Sequence, residues 1–174
     1  VAKSAPDGYT LLIGTNSTNA ALKSLMKKLP YDQDTAFAPV GYMGQVPLIV
    51  AVNNDVPVKS LKELVDMAKA KPGQMNYANP GNGTSTHIVT EMFLLDAGIK
   101  LVNIPYKGVV ASLTDLVGGQ VEVMFDVTST ATEHVKAGTL RALAVTRLSR
   151  TPVLEAVPTI AETLPGFEYT GYLG

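Results

Sequence analysis

Residues 76–93 read NYANPGNGTSTHIVTEMF. A short strand ends there, a loop broken by Gly81 and Gly83 carries amides and hydroxyls, and an apolar-periodic helix follows. A junction of this kind can hold an anion, because a helix N-terminus presents unpaired N–H groups and the positive end of the helix dipole. Three more strand-to-helix junctions are GTNSTN (14–19) with Thr15 and Asn16, PYKG (105–108) with Tyr106, Lys107 and Gly108, and DVTSTATE (126–133) opening on Asp126, and three of the four are dense in hydroxyl and amide side chains. Ser, Thr, Asn and Asp are also what any helix cap prefers, so one such junction reads as a cap. Several together, with Gly81 and Gly83 allowing close approach to backbone, read as a binding face.

The chemistry of that face narrows by elimination. Asn79, Gly81, Gly83, Thr84 and Ser85 fit neither the G-x-x-x-x-G-K-[ST] nor the G-x-G-x-x-G pattern, and no lysine follows Gly83 to reach a terminal phosphate. Neutral hydroxyl and amide donors suit a carboxylate, with Lys107 either a cationic helper or a solvated surface side chain. Asp126 either receives a ligand ammonium or caps the helix at Thr128. Ser85, His87 and Asp126 are the residue types of a nucleophile, a base and an orienting acid. Yet Ser85 and His87, two apart at a helix start, face different directions, and no G-x-S-x-G elbow is present. The two histidines lack any metal-ligand spacing, and there is no cysteine to supply a thiolate site or a disulfide. No metal and no cofactor are expected, His87 is expected to make a local first-turn hydrogen bond, and neither histidine is expected to be essential.

The elements that must position these residues alternate. Strand-length apolar runs (YTLLIG, PLIVAVN, MNYAN, KLVNIPY, VEVMFD, LRALAVT) are interleaved with helix-period segments at 18–26, 60–70, 85–97, 109–117 and 128–137. Ser60 and Glu63 have the spacing of a capping box, and Gly98, Gly118 and Gly138 stand where helices should stop. The pattern predicts an α/β fold with a mostly parallel sheet flanked by helices. With 46% apolar and 17% charged residues, 174 residues bury one good core or two small ones. Fourteen basic and fifteen acidic residues leave a net charge of −1 with no basic run, so nucleic acid is not an expected partner. No apolar stretch approaches the roughly 20 residues that span a bilayer. Lacking an initiator Met and a signal-peptide pattern, the chain reads as an excised piece.

Taken in succession, APDGYTLLIGT, LPYDQDTAFAPVGYMGQVPLIVAVN, VNIPYKGVVASLTDLVGGQVEVMFD and SRTPVLEAVPTIAETLPGF resemble the Bug family of extracytoplasmic solute receptors of tripartite tricarboxylate transporters. The likeness covers essentially the whole chain, and the APDGYTLL, PYKG and VPTIAE blocks carry it. The resemblance implies a two-domain periplasmic-binding-protein fold that closes on a small carboxylate (a di- or tricarboxylate, amino acid or aromatic acid) and delivers it to membrane subunits in the periplasm. On it, residues 1–42 are a remnant of the first domain, 43–166 the complete second domain, and 167–174 a return strand. Thr15 and Asn16 would face the ligand from the first domain, and Gly81, Gly83, Thr84, Ser85, Tyr106, Lys107, Gly108 and Asp126 from the second. In a piece so divided, residues 1–42 are expected to be disordered, folded back on the second domain, or exchanged between copies. The competing expectation is a hydrolase using Ser85, or a transferase using the anion loop, on a similar fold.

Overall fold

A computed structural model describes all 174 residues and divides them into two compact units, residues 1–46 with 171–174, and residues 47–170. In chain order a five-residue π-helix (Ser17–Ala21) runs into α1 (Leu22–Leu25), followed by β1 (Gly44–Val46), β2 (Leu48–Asn53), α2 (Leu61–Ala70) and β3 (Asn76–Asn79). Next come α3 (Ser85–Ala97), β4 (Val102–Pro105), α4 (Val109–Val117), β5 (Val123–Val127), α5 (Thr128–Lys136) and β6 (Leu140–Val145). Two 3-10 turns, Pro152–Leu154 and Ile160–Glu162, precede β7 (Gly171–Leu173).

The larger unit is a five-stranded sheet in the order β4-β3-β5-β2-β6 with helices on both faces. Pairing of β3 with β4 and with β5 is parallel, whereas β2 runs antiparallel to both β5 and β6. The sheet is therefore mixed, with one reversed strand that alternation of strand and helix patterns does not disclose. Every residue of β2 is buried, and its side chains divide by parity. Leu48, Val50 and Val52 join the core under α2 and α3 with Leu64, Val89 and Phe93, while Ala51 and Ile49 pack toward α4 and α5. Burial on both faces is what a continuous apolar strand signals.

Helix boundaries follow local chemistry. The Ser60 hydroxyl accepts from the Glu63 N–H (3.2 Å), but the Glu63 carboxylate takes the Lys59 N–H (2.6 Å), one residue before the N-cap. In α3 the buried Thr86, Val89, Thr90, Phe93, Leu94 and Ala97 recur at helical spacing. Gly98 ends that helix at φ 62°, with the Ile99 N–H bonded to the Leu94 carbonyl as in a Schellman turn. After α4 the left-handed residue is Gly119 (φ 72°), one position beyond Gly118, which keeps helical angles.

In the smaller unit β1 and β7 form a two-stranded antiparallel ladder, and Thr15 makes an isolated bridge to Leu173. The expected strand at residues 9–14 does not form. Tyr9, Leu11 and Ile13 are 92%, 70% and 62% exposed; the Tyr9 N–H goes to Asp7 Oδ1 (3.0 Å), and at the other end Gly14 exchanges N–H and carbonyl with Gly174 (2.6 and 3.2 Å). The expected helix at 18–26 is the π-helix and the single turn of α1 that continues it.

Candidate functional site

Strands β4, β3 and β5 are neighbours with a common direction, so their carboxyl ends bring three of the four strand-to-helix junctions to one end of the sheet. In open α/β sheets that end is where ligands bind. Two backbone bonds tie the first two junctions together: the Tyr106 N–H donates to the Asn79 carbonyl (2.7 Å) and the Gly108 N–H to the Pro80 carbonyl (2.9 Å). The loops after β3 and β4 thus form one platform.

Asn79 organises the loop after β3. It is fully buried, accepts from the Gly81 N–H through Oδ1 (3.0 Å) and donates through Nδ2 to Asn82 Oδ1 (2.7 Å). The Asn79 contacts lie side by side in an Asx-type turn, which is why an amide at the end of the strand suits this position. Thr84 is the N-cap of α3: its Oγ1 donates to the Gly81 carbonyl (2.7 Å) and accepts from the His87 N–H (3.3 Å). Gly83 has φ 80°, a left-handed backbone open to glycine, and its N–H donates to His87 Nδ1 (3.2 Å). The Nε2 of the same ring lies 3.3 Å from the Asn103 amide nitrogen and 3.9 Å from Glu91 Oε1. Ser85 bears on the buried Tyr169 hydroxyl, whose titration burial pushes up and the Ser85 bond draws back.

Tyr106 joins the platform through its backbone, because its hydroxyl is committed to Asp115 (2.8 Å). Burial and the Asp115 carboxylate push that phenol up to about 12, so it stays a donor. Lys107 is exposed on the rim. Gly108, at φ 112°, is the N-cap of α4 and provides no side chain.

Asp126, two residues beyond Met124, which pairs with Ala78 of β3, is fully buried. Its Oδ1 accepts from the Val127 N–H (2.8 Å) and its Oδ2 from the Thr130 hydroxyl. Burial pushes this carboxyl up, against the opposing effects of Thr130, the Val127 N–H and His134. The N-cap of α5 is Val127, and the Thr128 N–H goes to the Pro47 carbonyl (3.1 Å) instead. Asp126 therefore anchors the first turn of α5 in this conformation. It does not cap the helix at Thr128, and its carboxylate is not open to an incoming ammonium.

Thr15 and Asn16 belong to the smaller unit, where their side chains are engaged locally. The Thr15 N–H donates to Thr18 Oγ1 (2.8 Å), the Thr18 N–H to Thr15 Oγ1 (3.3 Å), and Asn16 Oδ1 accepts from the Tyr172 N–H (2.7 Å). Ser85, His87 and Asp126 make no catalytic relay: the ring nitrogens of His87 address Gly83 and Asn103, and the Asp126 oxygens address Val127 and Thr130. His134 bonds Thr139 (3.2 Å) at the far end of α5. The sequence reading missed Glu91 and Asn103, which flank the His87 ring, and Tyr77, whose hydroxyl donates to Glu91. Glu91, at i+4 from His87, carried the one available signal.

A groove of about 540 Å³ at the opposite end of the sheet is lined by Asn53, Asp55, Lys71 and Glu122. Two of its polar groups hold backbone: Asn53 Nδ2 donates to the Leu116 carbonyl (2.8 Å), and Glu122 accepts from the Asn76 N–H (2.8 Å).

The whole chain, residues 1–174, matches the family described as "Tripartite tricarboxylate transporter family receptor". It is 40% identical to protein BugT of Bordetella pertussis over 92% of the chain and 50% of that protein. A Pseudomonas protein from the tcbD-tcbE intergenic region is 36% identical over 100% of the chain and 52% of its own length. The chain spans about half the length of the curated relatives it matches. Among solved structures, an adipate-bound protein of R. palustris superposes with a TM-score of 0.93 at 35% identity, over 99% of this chain and 58% of that one. The periplasmic binding protein BugD gives 0.91 at 35% identity over 100% and 58%. MatC from Rhodopseudomonas palustris with bound malate gives 0.89 at 30% identity over 100% and 60%.

Proposed function

Because the chain belongs to the tripartite tricarboxylate transporter receptor family, we propose that it is part of an extracytoplasmic receptor that captures a small carboxylate for its membrane subunits. One observation carries the reading furthest: the loops after β3 and β4 are bonded into a single platform at the carboxyl end of the sheet. That platform presents the first turn of α3 from Ser85 onward and the left-handed backbone at Gly83, while the Thr84 hydroxyl and the Gly83 N–H donate within the loop to the Gly81 carbonyl and His87 Nδ1. The N–H groups of that first turn are neutral donors in a positive dipole field, the equipment for a carboxylate rather than for a nucleotide. Gly81, Gly83, Thr84, Ser85 and Gly108 are the binding positions of the larger unit, with Lys107 as a cation at the rim. Asn79 and Tyr106 hold the platform from behind, and Asp126 sets the neighbouring helix. Thr15 and Asn16 are the corresponding positions of the smaller unit.

The solved neighbours with adipate and malate support an aliphatic dicarboxylate as the first acid to test. A periplasmic location accords with BugD and with the family's transport role. Native mass spectrometry of the full-length protein purified without added ligand should reveal a co-purifying acid, and calorimetry should show that acid bound and returned unchanged. Turnover of the acid, or absence of binding to every di- and tricarboxylate tried, would overturn the receptor reading.

A further inference from the structure

Of the asparagines in the chain, only Asn82 is followed by glycine. The backbone nitrogen after an asparagine can attack the side-chain amide carbon and close a cyclic imide, and a following residue without a side chain leaves that approach open. Asn82 is exposed and lies between β3 and α3, outside every strand and helix. The Gly83 N–H belongs to no helix or ladder; its acceptor is the His87 side chain (3.2 Å), so freeing that nitrogen breaks no backbone bond. The Asn82 carbonyl oxygen is held by a fixed donor: Oδ1 accepts from Nδ2 of the fully buried Asn79 (2.7 Å), whose own Oδ1 takes the Gly81 N–H (3.0 Å). The Asn82 Nδ2, the nitrogen such an attack expels, makes no bond within the chain. The other asparagines each lack something. Asn79 precedes Pro80, which has no N–H to give, and Asn53 is buried with both polar atoms of its side chain bonded. Asn76 and Asn103 lie within β3 and β4, and Asn16, Asn19 and Asn54 precede residues that carry side chains.

We propose that Asn82 is a self-modification site, where the folded chain converts its own amide into a carboxylate. The Gly83 nitrogen loses its proton to solvent base and bonds to Asn82 Cγ, and the carbonyl electron pair moves onto Oδ1. Asn79 Nδ2 stabilises the negative charge that develops there, as a preorganised donor does for a tetrahedral oxyanion. When that pair returns, the Cγ–Nδ2 bond breaks and ammonia leaves with a proton from solvent, so Asn82 and Gly83 share a cyclic imide. Water then adds to either imide carbonyl, and the ring opens to aspartate or to isoaspartate. Water enters, ammonia departs, and nothing is oxidised or reduced. The chain, whose net charge is −1, gains a further negative charge. In the aspartate product that charge stands beside the Thr84 N-cap of α3, where the helix dipole favours an anion, and the Asn79 donor gains a charged acceptor. The site needs no ligand in the loop and is independent of the receptor reading.

The test ages the full 174-residue chain at mildly alkaline pH and follows its peptides by mass spectrometry, with fragmentation to locate each change. Asn82 should acquire the mass of the acid, as aspartate and isoaspartate that separate by chromatography, ahead of every other asparagine. Conversion should slow at mildly acidic pH, because base removes the Gly83 proton. Asn79→Asp keeps an oxygen for the Gly81 N–H and withdraws the donor from Asn82, so conversion should slow about 2- to 10-fold, the worth of one hydrogen bond. The wild-type chain aged in guanidinium chloride measures the same reaction without the fold and keeps the proposal open to refutation should Asn79→Asp not fold. Asn82 that retains its amide in the folded chain and converts only in the unfolded one would overturn the proposal. So would conversion of other asparagines at the same rate in the folded chain. Equal rates in wild type and folded Asn79→Asp would overturn the part assigned to Asn79.

Discussion

Two stretches of similar composition meet opposite fates. LIVAVN of β2 is buried along its entire length between β5 and β6, whereas Leu11, Leu12 and Ile13 of YTLLIG lie outside any strand and exposed. Intrinsic β preference does not separate them. What differs is company: β2 has a ladder on each edge and helices over each face, and residues 9–13 have neither. An apolar run states what a segment can do once partners arrive, and partners decide the outcome. The exposed run is also a template for pairing with another chain, the property behind the expected self-association.

The sharpest way to break this contrast is a matched pair of truncations. We predict that Ile49→Ala, in the fully buried strand, costs about 2–5 kcal/mol, while Leu11→Ala changes stability by less than about 0.5 kcal/mol. Urea denaturation of both variants, with hydrogen exchange on the parent chain, checks the pair. Amides of residues 48–53 should be strongly protected and those of 11–13 should exchange as freely as an open loop. Equal losses, or strong protection at 11–13, would show that the exposed run has found a partner in solution; size-exclusion chromatography would then reveal whether it is a second copy.

An intermediate effect belongs to the platform itself. Gly83 occupies φ 80°, where a β-branched residue is strained, and its N–H is committed to His87. We predict that Gly83→Val weakens carboxylate binding by the full-length protein by about 1–3 kcal/mol, the scale of an orphaned polar contact. Calorimetry with the co-purifying acid is the measurement. Unchanged affinity would remove the Gly83 loop from the binding face and leave it a turn.

The platform was more legible in sequence than the smaller unit. Helices α2 to α5 follow from period and caps: Ser60 with Glu63, Thr84 after the glycines, and Gly98 at the close of α3. The loops of 79–85 and 105–108 follow from residue types alone. Three things did not. The reversal of β2 depends on which edges it joins, and its apolar run is silent about direction. The strand expected at 9–14 failed because pairing is supplied by other segments. Asp126 reads as a ligand for a cation or as a cap at Thr128, yet only the fold reveals that both oxygens are taken and that nothing of the side chain is exposed.

Asp126 provides the smallest and most discriminating effect. Its carboxyl sits among β5 and α5 with burial as the largest influence on its titration, pushing it above the ordinary 3.8. A carboxyl whose folded value is raised binds its proton more tightly in the folded state. Its stabilising contribution is therefore complete below pH 3.8 and is lost as pH rises through the raised value, so at neutral pH the ionised group costs stability. Asn keeps an oxygen for the Val127 N–H, and the Thr130 hydroxyl already has a second acceptor in the Val127 carbonyl (3.0 Å), leaving its oxygen open to the new NH₂. We predict that Asp126→Asn leaves stability at pH 7 unchanged or raised by no more than about 1 kcal/mol, with the advantage fading toward pH 4. Urea midpoints at the two pH values decide it. A loss above about 2 kcal/mol at pH 7 would mean that the charge itself holds α5 to the sheet through Val127 and Thr130, and that desolvation is the lesser effect.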